Sequence, residues 1–333
     1  MKVLYCSWYE NSQEDLENAL NKITDEVIVI EHKVREYLGI DESVRQEIIS
    51  IVENGIDMII SFDFFPALSQ ICESYNIKYV SWVYDWPNYT LFHKEAYNKC
   101  NRIFLFERDG VKLLSQYNIN NVYYSSLAVD IDRLDLQLGT DISNTEYEYD
   151  VSFVGNMNSN LNNILMLDEI PQYYEGYING LAQAQQKIYG YNIVNEIIND
   201  EFVGEYLKAV CADMDNFVIP HKHILSSQIN KYITGMERVN LNVTLRSITS
   251  GIPLRVYDIL GAGGFCLTNY QEDIVQLFKA GEELVVFTNK DDMFNKVEYY
   301  LSHEKERLEI ALNGREAVKK FSYENVLKYI LNY

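Results

Sequence analysis

The first half of the chain alternates two hydrophobic periods. Short runs rich in Val, Ile, Tyr and Phe predict strands at residues 2–8, 26–31, 57–62, 78–85, 102–107 and 121–128. Helix-period segments lie between them. The helix over 12–23 opens with Ser12 at its N-cap and Asp15 three residues on. That over 41–54 places Val44, Ile48, Ile49 and Val52 on one face, and Gly55 follows as a stop signal. Strands alternating with crossover helices predict a mostly parallel sheet covered on both faces. Ligands on such sheets bind beyond the carboxyl ends of the strands.

Residues 138–149 are polar and rich in turn formers, which puts a domain boundary there: 1–148, then 149–333. The second part starts with a strand over 150–155 and reads mainly as helix over 160–215. Alternation resumes with a strand over 240–245, a helix over 253–260, a strand over 264–269, a helix over 271–280 and a strand over 284–288. Helices close the chain, with Met293, Val297 and Leu301 on one apolar stripe, and the last helix is expected to return to the first domain. A length of 333 residues suits two domains. Two open α/β units in tandem leave a cleft between them, a common place for a ligand.

Charge narrows the partners. The chain carries 28 Lys and Arg against 49 Asp and Glu, a formal net charge of −21. Such a surface repels a phosphate backbone and an anionic bilayer, so neither nucleic acid nor a membrane surface is expected. No apolar run approaches the ~20 residues needed to span a bilayer. The N-terminus reads as a strand instead of a signal peptide, and a cytoplasmic protein is expected. Cys6, Cys72, Cys100, Cys211 and Cys266 form no CxxC pair, which points to reduced thiols and away from structural zinc.

The densest chemistry lies in RSITSGIPLRVYDILGAGGFCLTN, residues 246–269. A strand ends near Arg246, a Ser/Thr/Gly loop follows, and Pro253 suits the first turn of a helix. Free amides at that helix start, aided by the helix dipole, can receive an anion. Arg246 and Arg255 flank the loop and can neutralise a diphosphate. Asp258, about one turn into the helix, can accept both hydroxyls of a ribose. The competing explanation is an ordinary strand–loop–helix joint, with Ser250 as N-cap, Arg255 as a surface cation and Asp258 as a solvated helix residue. The pattern is neither GxGxxG nor GxxxxGK[ST], which argues against a nicotinamide enzyme or a P-loop ATPase.

In the first half, Asp85 ends an apolar strand before Trp86-Pro87 and is the candidate catalytic residue. It either acts as a proton acceptor in a cleft at the carboxyl edge of the sheet, or it is a cap or turn residue before the helix expected near Thr90. His93 nearby reads as a packed or solvated histidine. Asp130-Ile-Asp132 and Asp213-Met-Asp215 match the DxD spacing of metal-held diphosphates, but 49 acids produce such pairs by chance. His221 and His223 have no evident third ligand, so no metal is expected.

The stretch SGIPLR…DILGAGGF.LTNYQ resembles the C-terminal domain of GT-B glycosyltransferases of the CgeB-like group, relatives of the large retaining family with a Glu-x7-Glu signature. The resemblance extends to YDVSFVGN at 149–156 and to the closing helices at 298–318. SWVYDWP and SSLAVD resemble the accompanying N-terminal domain. It implies a GT-B fold: two Rossmann-like domains facing across a cleft, the first on the acceptor side and the second, with a helical insertion, on the nucleotide-sugar side. By position, the second Glu falls on Asp258, implied as the ribose ligand. The first falls on Ser250, which leaves the sugar-contacting carboxylate unassigned. The loop amides around Gly251, Ile252, Pro253 and Leu254 meet the implied diphosphate, with Gly155, Asn156 and Asn269 completing the donor side. The chain departs from the family in a short 200–238 segment and in Phe321-Ser-Tyr-Glu-Asn-Val326 near its end.

These readings predict a hexosyl- or N-acetylhexosaminyltransferase that uses a nucleotide-sugar, UDP-sugar favoured, without an essential metal or other cofactor. Its acceptor is a hydroxyl on a protein of the flagellin or spore-surface type, or on a surface glycan. In such enzymes amides and arginines stabilise the leaving diphosphate. Two alternatives stay open: a non-catalytic protein of this fold that binds a nucleotide-sugar or a partner, and a nucleotide-sugar epimerase.

Overall fold

The computed structural model describes residues 1–31, 39–139, 151, 172–186, 193–198, 201, 244 and 248–333. The expected strands over 150–155 and 240–245 lie outside this set apart from Val151 and Thr244. So do Gly155, Asn156, Arg246, Asp213, Asp215, His221 and His223, and nearly all of 200–238.

The α/β class expected from the periodicity is what the structure shows. In chain order the first half contains β1 (Lys2–Ser7), α1 (Gln13–Ile23), β2 (Glu26–Glu31), α2 (Glu42–Glu53), β3 (Met58–Phe62), α3 (Pro66–Tyr75) and β4 (Lys78–Val83). It continues through β5 (Asn101–Leu105), α4 (Arg108–Gln116), β6 (Val122–Tyr124) and α5 (Ile131–Leu138). The six strands form one parallel sheet in the order β2-β1-β3-β4-β5-β6. The chain goes outward from β1 to β2, then crosses back to β3, so the loops after β1 and β3 diverge at the carboxyl edge.

Strand side chains divide between two cores with the period of two that a pleated strand imposes. Val3, Tyr5, Ile60, Val80, Trp82 and Phe104 face one side, where α1 contributes Leu16, Ala19 and Leu20. Leu4, Cys6, Ile59, Tyr79, Val83, Ile103 and Leu105 face the other, with α2 and α3. The expected helix near Thr90 is instead two 3₁₀ turns, Tyr89–Phe92 and Lys94–Tyr97. The Asn88 side chain caps the first and the His93 ring caps the second. His93 is buried, as its packed reading required.

The later elements are α6 (Gln172–Gln186), α7 (Val194–Ile197), α8 (Leu254–Gly261), β7 (Leu267–Asn269) and α9 (Glu272–Leu277). They are followed by β8 (Val285–Phe287), α10 (Lys290–Ser302), α11 (Glu304–Val318) and α12 (Tyr323–Leu331). β7 and β8 pair in parallel. Phe106, Leu127 and Val129 share a buried cluster with Ile248, Ile252, Val256 and Tyr257, so the two halves meet through continuous apolar packing. The last helix, α12, lies over the first sheet: Tyr323, Val326, Leu327, Ile330 and Leu331 pack with Leu16, Leu20 and Trp82.

Leu327 is fully buried in that contact. Leu327→Ala is expected to destabilise the fold by about 2–5 kcal/mol, read as a lower urea midpoint, because it removes apolar burial and leaves a cavity.

Candidate functional site

A cavity of ≈ 380 Å³ opens at the carboxyl edge of the first sheet, lined by Asn11, Ser12, Glu14, Asp15, Arg133, Gln137, Leu254, Asp258 and Tyr323. Five elements build it. Asn11 and Ser12 belong to the loop after β1, and Glu14 and Asp15 to the first turn of α1. Arg133 and Gln137 are four residues apart on α5, and Leu254 and Asp258 four apart on α8, so each pair shares a helix face. Tyr323 begins α12.

The charges in the cavity are arranged in series. Arg133 holds Asp15 with two parallel bonds, Nε to Oδ1 at 2.8 Å and Nη2 to Oδ2 at 3.1 Å. Such a fork fixes the guanidinium plane. Asp15 is nearly inaccessible, and burial pushes its carboxyl up while Arg133 pulls it back. Asp258 faces the same group. Burial pushes its carboxyl up to about 6; Arg133 and Arg255 oppose the rise and Asp15 adds to it. Burial also raises the Tyr323 hydroxyl, which lies 3.3 Å from the Tyr84 hydroxyl. With Arg133 largely neutralised by Asp15, the cavity is acidic overall and rich in hydroxyl and amide groups. Its chemistry suits a polyhydroxylated group: Asp258 accepts from hydroxyls, and Ser12, Asn11, Gln137 and the remaining N–H groups of Arg133 donate.

The sequence-predicted residues are distributed unevenly around this cavity. Asp258 and Leu254 line it. Arg255 is half-buried beside them, and Pro253 is the N-cap of α8 instead of its first residue. Ile252 is part of the core. Asn269 is spent on structure: its Oδ1 accepts from the Thr244 amide at 2.7 Å and its Nδ2 donates to the Tyr270 carbonyl at 3.2 Å. Asp85 is exposed beyond the end of β4 and is not among the cavity residues. Its amide and that of Tyr84 donate to Asp63 Oδ1, at 3.2 and 3.1 Å. Asp130 Oδ1 accepts from the Arg133 amide at 2.9 Å, so this half of the first DxD pair is a helix cap. Among the described residues, no group of three or more His, Cys, Asp or Glu is placed to hold a metal ion.

The Ser/Thr/Gly loop differs most from expectation. Its amides are not open to a ligand, because the carboxylate of Glu107 occupies them. Glu107 Oε1 accepts from the amides of Thr249 and Ser250, at 3.0 and 2.9 Å, and from the Thr249 hydroxyl at 2.7 Å. Oε2 accepts from the Gly251 amide at 2.8 Å. Ser250 and Glu107 are both buried, and the Ser250 hydroxyl sits 3.3 Å from both Glu107 Oε1 and the Asp109 amide. Consecutive amides around one carboxylate form an anion nest, here filled from within the chain. Gly251 is required by this contact: a Cβ there would lie 2.7 Å from Glu107 Oε2 and 2.9 Å from the Phe106 carbonyl. Reading the sequence alone missed Glu107, Asp15 and Arg133. Glu107 looked like the last residue of a strand, and Asp15 pairs with a residue more than a hundred positions away.

Residues 188–332 match a family model described as glycosyl transferase-like. No curated protein matches the chain. Among solved structures, HepE of Anabaena in complex with UDP and glucose superposes with a TM-score of 0.52 at 10% identity, covering 100% of this chain and 98% of that one. HepE in complex with UDP gives 0.51 at 11% identity, covering 100% and 99%. A glycosyltransferase from Rickettsia africae ESF-5 gives 0.50 at 14% identity, covering 99% and 97%. At such identities the likeness is one of fold, and the fold is the α/β GT-B architecture.

Proposed function

We propose that the protein is a glycosyltransferase that moves a hexose or N-acetylhexosamine from a nucleotide-sugar, UDP-sugar favoured, to a hydroxyl on a protein or glycan. One observation carries this reading: Asp258, at the family-model end of the chain, projects into a cavity completed by Ser12, Asp15 and Arg133 from the other end. HepE, of the same fold, binds UDP and glucose. On this reading Asp258 accepts the ribose hydroxyls. Arg255 beside the cavity, the N–H groups that Arg133 does not spend on Asp15 and the N-terminal dipole of α8 offset the acidic lining and stabilise the diphosphate as it leaves, without a metal. The first half supplies the acceptor side. Tyr323, at the start of α12, forms part of the cavity wall and limits access of water to the donor.

The test is incubation with UDP-, GDP- and TDP-sugars, with and without candidate protein and glycan acceptors, followed by nucleoside diphosphate release. Acceptor-dependent UDP release supports the transferase. A second reading, a non-catalytic nucleotide-sugar-binding protein of this fold, is favoured by the buried Ser250 and by the filled amide nest. It predicts that UDP-sugars bind and no acceptor releases UDP.

A further inference from the structure

Glu107 is fully buried, yet its carboxylate receives bonds from three successive amides and two hydroxyls of a loop more than 140 residues away. A buried carboxylate is costly unless it is hydrogen-bonded this fully. The neighbouring residue makes a second attachment: Arg108 Nε lies 3.0 Å from Asp273 Oδ1, and its guanidinium stacks over the Tyr124 ring, 3.5 Å from the centroid. Asp273 is itself buried, and its amide donates to the Ser250 carbonyl at 3.1 Å. Glu107 and Arg108 thus grip the same loop from two directions, one through its amides and one through the residue bonded to its carbonyl. Two residues past the loop's Gly251, Pro253 caps α8, and α8 carries Leu254 and Asp258 into the cavity.

We propose that Glu107 is a positioning residue of the donor site: by filling the amide nest of Thr249–Gly251 it fixes the start of α8, and with it the direction of Asp258. The inference rests on the nucleotide-sugar reading of the cavity. It assigns to the first half a specific role in donor binding, exerted through the loop without contact with the ligand. The nest therefore serves a carboxylate of the chain, and the diphosphate meets the helix start further on.

Two variants disturb the grip by independent routes. Glu107→Gln keeps the side chain's size and one acceptor oxygen but sets an NH₂ against the Gly251 amide. Gly251→Ala leaves the carboxylate intact and forces the loop away from it, since the new Cβ would meet Glu107 Oε2 and the Phe106 carbonyl. Hydrogen exchange of residues 249–261 and calorimetric UDP affinity are read on the folded proteins. Both variants are expected to lose protection over 249–261 and to bind UDP about tenfold more weakly, ~1.4 kcal/mol. Unchanged protection, or lost protection with UDP affinity within about twofold of wild type, overturns the proposal, since the role would then be structural alone. Absence of UDP binding by the wild-type protein removes the reading of the cavity and this inference together, whereas unchanged affinity in the variants removes only the inference.

Discussion

Asp258→Ala is expected to weaken UDP binding by about 10- to 100-fold without lowering the melting temperature at pH 8. The affinity loss follows from removing a charged acceptor for ribose hydroxyls, an interaction of roughly 1.5–3 kcal/mol. The stability result follows from burial. The folded protein holds the Asp258 proton more tightly than the unfolded chain does, with a value of about 6 against the ordinary 3.8. The contribution of this carboxyl to stability is therefore fully present below 3.8 and is lost as pH rises through about 6. At pH 8 the protein bears the cost of a desolvated carboxylate, and Asp258→Ala or Asp258→Asn relieves it. UDP affinity is expected to have the opposite slope, rising as pH rises through about 6 and Asp258 ionises to accept hydroxyls. Asp15, Arg133, Arg255 and Glu14 face or flank the same group, so the slope is assigned to Asp258 only if Asp258→Asn flattens it. Calorimetry and thermal melts between pH 5 and 8 check both halves of this expectation.

Arg133→Ala is expected to cost more in stability. It removes both bonds that satisfy Asp15, whose side chain is 8% exposed. Breaking a fully buried pair costs about 3–5 kcal/mol, because the remaining charge stays desolvated. The Arg133 side chain is 38% exposed, so solvent screening reduces this to about 2–3 kcal/mol. Arg133→Lys keeps the charge but not the planar fork and falls between. The double variant Asp15→Asn/Arg133→Ala separates the two roles of the arginine. It recovers much of the lost stability, since no buried carboxylate is stranded, yet it does not recover UDP affinity. Recovery of both in urea unfolding and calorimetry would reduce Arg133 to a structural partner of Asp15.

The first sheet was legible because every strand faces two cores and each face obeys a period of two. Its ends were less so. The expected strand over 78–85 stops at Val83 because the amides of Tyr84 and Asp85 turn to Asp63 Oδ1 instead of a neighbouring strand. The last strand shortens to Val122–Tyr124, and the segment around Thr90 is held as tight 3₁₀ turns by the side chains of Asn88 and His93. Those outcomes depend on single side-chain bonds that periodicity does not encode.

Asp258 was accessible to sequence reasoning because it falls one turn into a helix that follows a loop of small residues, whereas Leu254 was named for its backbone amide and lines the cavity. Asp15 and Arg133 were not accessible, since the fold alone brings them together. The Ser/Thr/Gly loop shows how a correct observation can carry the wrong reason. Its small residues do allow close approach and its amides do bind an anion, but the approaching group is Phe106–Glu107 and the anion is a carboxylate of the same chain. A sequence pattern specifies that a carboxylate or phosphate fits a nest, not which one arrives.

The cavity between the loop after β1 and α8 is the proposed seat of the nucleotide. A crystal structure of the protein soaked with UDP tests this directly. The expected result is density in that cavity with the ribose hydroxyls on the Asp258 carboxylate and the diphosphate toward Arg133 and the start of α8. UDP bound elsewhere, with this cavity empty, would contradict it.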